Sequence, residues 1–191
     1  MKNKTLKRTI SFLVSVLMLL NTSLLVLGAE KIVDAKMYWS DDLTSWNDTE
    51  SSGAIFDISD FEPGMEEIKY IKIENAGDLA FSYALDFFTT NDKTLADAVD
   101  VYYSADINET KNISDMTSIG TLADCLNGNS VSTGKILPNN LTGDDFYTNE
   151  TVVAIALKMK DDASVNYMDK TIADFDVNLL LQNANMTDIQ V

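Results

Sequence analysis

The strongest constraint on how this chain of 191 residues can fold is a two-residue rhythm that recurs along its length. Alternation of apolar and polar side chains is the period of a strand with one face buried and the other wet. Residues 65–75 (MEEIKYIKIEN) put Ile71 and Ile73 on one face and Lys72 and Glu74 on the other. Residues 81–88 (FSYALDFF) gather Phe81, Tyr83, Leu85 and Phe87. Residues 99–103 gather Val99, Val101 and Tyr103; residues 151–159 gather Val153, Ile155, Leu157 and Met159. Residues 175–181 gather Phe175, Val177, Leu179 and Leu181, and residues 54–58 form a shorter candidate. Six such strands predict an all-β chain of two packed antiparallel sheets.

Turn residues separate the strands. Pro63-Gly64 precedes the strand at 65–75, and residues 75–78 (NAGD) form the short loop after it. Residues 105–141, rich in Asn, Ser, Thr and Gly, read mostly as solvent-facing loop, with a short helix over 117–126. Residues 95–98 suggest one further helical turn.

The first 29 residues carry Lys2, Lys4, Lys7 and Arg8, no Asp or Glu, and an apolar run from Ile10 to Leu20. Asn21-Thr22-Ser23 interrupts the apolar character, and a spanning helix needs about 20 unbroken apolar residues. A basic start, a short apolar stretch and small residues have the layout of a secretory leader. Cleavage after Ala29 or after Ala35 fits, so residues 1–35 bound the leader and export is expected.

Removing the four leader cations leaves 10 basic against 30 acidic residues, a net charge of about −20, with no Arg and no His. Nucleic acid and anionic lipid are bound chiefly through Lys and Arg. The expected partners therefore include no nucleic acid and, after processing, no membrane. Without His the chain lacks the imidazole of Ser-His-Asp and Cys-His machinery and of common zinc sites. Cys125 is the only cysteine, so no intramolecular disulfide forms, and its apolar surroundings predict a buried thiol. The acid pairs Asp41-Asp42, Asp144-Asp145 and Asp161-Asp162 lack the spacing of a calcium loop and read as solvated turns. Catalytic residues, metal ligands and a cofactor are not expected.

The segment at 36–46 stands out, because Met37, Tyr38, Trp39, Leu43 and Trp46 are apolar or aromatic in an otherwise polar stretch. Two uses fit that pattern equally: the segment is the first strand of its own sheet, or it completes the sheet of a neighbour.

Two blocks resemble those of the TasA/camelysin family, secreted proteins of Gram-positive bacteria processed by a dedicated signal peptidase. One is residues 61–83, FEPGMEEIKYIKIENAGDLAFSY; the other is residues 152–181, VVAIALKMKDDASVNYMDKTIADFDVNLLL. Tyr38-Trp39-Ser40-Asp41 is similar to the aromatic run that follows the leader in that family. The resemblance implies a jelly-roll-like β-sandwich over residues 47–191. It also implies a structural role in extracellular biofilm-matrix fibres, at the cell surface or in the matrix; that the chain is not an enzyme is expected from its lack of His and its single Cys, which cannot supply the usual zinc ligands. Residues 36–46 would then be a donor strand completing the next subunit. Implied partners are further copies of the chain, a signal peptidase during export, and related matrix proteins. The same resemblance would pass on a second function, that of a camelysin-like cell-surface metallo-endopeptidase, and a monomeric surface or capping module is a third reading.

Overall fold

The computed structural model describes residues 33–50, 54–56, 61–89, 95–138, 149–163 and 175–183. Residues 1–32 of the expected leader, with the candidate cleavage position at Ala29, lie outside them. The strands are β1 (Ala35–Ser40), β2 (Asn47–Asp48), β3 (Glu66–Asn75), β4 (Phe81–Thr89), β5 (Val99–Ser104), β6 (Thr117–Thr121), β7 (Val131–Leu137), β8 (Glu150–Met159) and β9 (Phe175–Asn183). Helix α1 (Leu122–Leu126) and two 3-10 turns, Ala96–Ala98 and Ile113–Asp115, lie in the connections.

Among the described residues, one sheet has the order β2-β1-β3-β8-β5-β6 and the other β7-β4-β9. Every pairing is antiparallel. From β3 onward the chain passes to the opposite sheet at each connection except β5 to β6. That alternation makes the all-β sandwich jelly-roll-like, and Ile32–Val191 is one compact unit. The inward faces expected from the alternation meet in one core, except that Leu181 is 40% exposed and that the Phe175 side chain lies outside the described ones. Ile71, Ile73, Val99, Val101, Val153, Ile155 and Leu157 of the larger sheet pack with Phe81, Tyr83, Leu85, Phe87 and Val177 of the smaller.

β8 departs from simple alternation for a physical reason. Its inward Val153, Ile155 and Leu157 are fully buried, but so are its outward Ala154 and Ala156. A second apolar cluster, with Tyr70, Ile107 and Met116, covers the outer face of the larger sheet. A central strand buried on both faces carries a near-continuous apolar run, and Val152-Val-Ala-Ile-Ala-Leu157 is that run.

Two expectations are corrected. The helix predicted over 117–126 starts only at Leu122, because residues 117–121 pair with β5 as β6. Gly120, at φ 114°, has a backbone that no right-handed helix contains. A capping box sets the true start: Asp124 N–H donates to Thr121 Oγ1 at 3.2 Å, and Thr121 N–H donates to Asp124 Oδ2 at 2.9 Å. The stretch at 105–141 is also not mainly loop, since it contains β6 and β7. Of the short candidate at 54–58, Ile55 and Phe56 are core residues and Phe56 makes an isolated bridge; residues 57 and 58 lie outside the described residues. The predicted turn at 95–98 is the first 3-10 turn.

Two buried groups give stability tests. The Asn75 amide, fully buried at the end of β3, donates to the carbonyls of Leu79 (2.9 Å), Leu137 (3.1 Å) and Pro138 (3.0 Å). Its own oxygen accepts from Gly77 N–H at 3.0 Å. One side chain therefore ties the β3–β4 turn to the end of β7. Asn75→Ala strands these groups and is expected to cost about 3 kcal/mol, lowering Tm by roughly 6–12 °C in thermal unfolding. Cys125 is fully buried against the core, and burial pushes its thiol pKa up to about 12. A disulfide reagent at neutral pH should leave the folded protein unlabelled and modify one thiol per chain only in denaturant; rapid labelling of the native protein would contradict this packing.

Candidate functional site

The described residues hold no group of three or more His, Cys, Asp or Glu side chains able to share a metal ion. None of their helices is long and apolar enough to cross a membrane. Of the three acid pairs, Asp144-Asp145 lies outside the described residues, and Asp161-Asp162 occupies an exposed turn. The N-terminal segment brings aromatic rings and charged groups together.

Residues 35–48 form a hairpin. β1 pairs with β2 through Tyr38↔Asp48 and Trp39↔Asn47, and along its other edge with β3, from Ala35↔Asn75 to Ser40↔Tyr70. The carbonyl of Asp34 accepts from Ala76 and Gly77 N–H at 2.9 and 3.1 Å, fixing the start of the strand over the β3–β4 turn. Thr49 Oγ1 donates to Met37 O at 2.9 Å and closes the hairpin's far side. In this single chain the segment is the first strand of its own sheet, the first of the two uses its pattern allows. Ala35, the other position at which cleavage is expected to fit, is the first residue of β1.

The five residues singled out in the sequence divide between two faces. Met37 and Trp39 point inward and pack against the main core. Leu43 and Trp46 fold over the outer face and pack against the cluster around Tyr70, where Tyr38 also lies by its parity in β1. The hairpin therefore grips β3 from both sides. Burying one such apolar side chain contributes roughly 1.5–3 kcal/mol.

Sequence reasoning missed the cations that hold it. Lys69 shares its parity with Ile71 and Ile73 and so points inward, its side chain only 11% exposed. Its Nζ lies 2.6 Å from Asp41 Oδ1, 2.8 Å from Glu67 Oε1 and 4.8 Å from the centroid of Trp39. Burial alone would pull the Lys69 pKa down, but hydrogen bonds to Asp41 and Glu67 outweigh it and hold the pKa above the ordinary lysine value. On the opposite face, Lys72 Nζ sits between two rings, 4.8 Å from Tyr38 and 4.9 Å from Trp46. Such contacts contribute about 0.5–1 kcal/mol each where partly exposed. The signal for Lys69 was present, as a lysine at an inward position of an alternating strand.

The loop between β1 and β2 is built on Asp42. Its carboxylate accepts from Thr44 N–H (2.9 Å), Thr44 Oγ1 (2.7 Å), Ser45 N–H (3.2 Å) and Ser40 Oγ (3.2 Å). Ser40 Oγ accepts in turn from Leu43 N–H at 3.0 Å, supporting Leu43 at φ 67°. This is an Asx-type turn, and it accounts for the pair Asp41-Asp42: one acid turns the chain and the other faces Lys69. Beside the hairpin a cleft of about 330 Å³ opens toward β9, with Met37, Leu179 and Leu181 as its apolar lining and Asp34, Asp48 and Glu50 as acidic lining. The inner side of the hairpin is thus bordered by solvent-accessible space at the side of the sandwich.

The hydrogen bonds from Thr44 lower the Asp42 pKa from 3.8 to about 2. A depressed carboxyl supports the turn fully above its unfolded value and loses that support as pH falls through the folded one. Carboxyl titration by NMR should therefore place the Asp42 midpoint near 2, with Thr44 and Ser45 amides deprotecting only as that midpoint is approached. A midpoint at the ordinary 3.8 would mean that the turn does not form. Compared with known proteins, the chain matches no protein-family model, and no curated protein matches it.

Proposed function

We propose that the processed chain is a secreted structural protein, a subunit or accessory component of extracellular biofilm-matrix fibres, assembled by strand exchange between copies. The observation that carries this reading is the seating of residues 35–48 on the margin of the larger sheet, with aromatic side chains on both faces of β3. A segment at a processed N-terminus, bonded along a sheet edge, can make the same backbone and side-chain contacts with a second copy. The resemblance of residues 61–83 and 152–181 to the TasA/camelysin family supports the same reading, as does the lack of His in the chain. The charge of about −20 keeps single copies apart at low salt, and screening over about 10 Å at moderate salt permits their approach.

The test compares a chain starting at Glu30 with one starting at Asn47, by electron microscopy and light scattering over a range of concentration and salt. Fibres are expected from the first and not from the second, and a synthetic peptide of residues 35–48 should bind the shortened chain and block growth of the longer one. Identical fibres from both chains, or a monomeric longer chain under every condition, would sink the proposal.

A further inference from the structure

We infer that Lys69 and Lys72 are the residues by which β3 selects its strand partner, and that the partner they fit is the 35–48 hairpin of a second copy of this chain. The inference rests on the exchange reading above and adds what gives that exchange its specificity. Backbone pairing along a sheet edge is indifferent to sequence, so side chains must supply register and choice of partner. Here they do so on both faces. Lys69 asks for an aromatic ring two residues before an acid, and the hairpin presents Trp39 and Asp41. Lys72 asks for two rings on the other face, and the hairpin presents Tyr38, its direct cross-strand neighbour, and Trp46, returned by the Asp42 turn.

A one-residue slip would put Tyr38 and Trp39 on the wrong sides of β3 and leave both cations without their rings. The chain is poor in cations and rich in acids, so most segments of this protein that might reach the β3 edge carry negative charge but lack the paired rings. Asp41 is 65% exposed, which leaves its ion pair available to an incoming segment and modest in strength. The match of pattern, more than any one contact, therefore sets the choice.

Charge reversal separates contacts within a chain from contacts between chains. Asp41→Lys and Lys69→Glu, each in the chain starting at Glu30, place like charges opposite one another in every homotypic pairing. Each is expected to slow assembly by about two- to fivefold relative to wild type. In a 1:1 mixture each hairpin finds an opposite charge on the other variant, so co-assembly at near wild-type rate is expected, with the two variants alternating. Hydrogen exchange of β8 amides confirms that each variant keeps its core. The double variant Asp41→Lys/Lys69→Glu, with the charges exchanged inside one chain, should assemble alone. Lys72→Ala gives a milder arm, weakening assembly without introducing repulsion.

Single variants that assemble like wild type overturn the selection by Lys69. A mixture that stays unassembled while wild type forms fibres overturns the contact between copies and leaves assembly itself standing. A wild-type chain that never assembles sinks the exchange reading and this inference together.

Discussion

The structure depends on how the two edges of β3 are satisfied. This ten-residue strand offers backbone donors and acceptors on both sides, and buried groups of that kind must be paired. β8 takes one side, pairing from Glu66↔Lys158 to Glu74↔Glu150. The N-terminal hairpin takes the other, from Asn75 back to Tyr70. Side chains follow from that arrangement: Ile71 and Ile73 are fixed toward the smaller sheet, and Tyr70 toward the outer cluster. Tyr70 even serves beyond the sheet, its hydroxyl accepting from Lys111 N–H at 2.9 Å and so drawing the 105–116 connection over the outer face.

The sequence was most readable where local pattern and burial agree. The faces of β3, β4 and β5 follow their alternation because each has one face on the main core, and the inward set of β8 is the expected one although its outer face is buried too. It was least readable where tertiary pairing decides. In residues 131–137, Ser132-Thr133-Gly134-Lys135 reads as loop, and only pairing with β4 makes the stretch a strand. Thr117-Ser-Ile-Gly-Thr121 has the same ambiguity, resolved by β5. The helix start follows from the capping box of Thr121 and Asp124 rather than from the apolar run around it, which suggests a start at 117.

The hairpin was half readable. Its aromatic content marked residues 36–46 as a strand-forming segment, and the choice between own sheet and neighbour could not come from pattern, since both uses bury the same side chains. The role of the lysines needed geometry. Lys72 looked like an ordinary wet position of an alternating strand, and only the fold of the 41–46 loop brings Trp46 to it. Gly64 shows the same limit in a turn: its φ of 83° suits the Pro-Gly signal, but only the fold reveals that an added Cβ would meet Asp161 Oδ1 at 2.9 Å.

Because the hairpin covers β3 on two faces, lifting it away bares apolar surface on both sides at once. Trp39 and Met37 leave the main core in the same event that removes Leu43 and Trp46 from the outer cluster. The strand and its returning loop are joined through the Asp42 turn, which couples the two faces. Departure of the whole hairpin is then a local unfolding that exposes apolar surface on two sides, and its rate is expected to rise steeply with temperature.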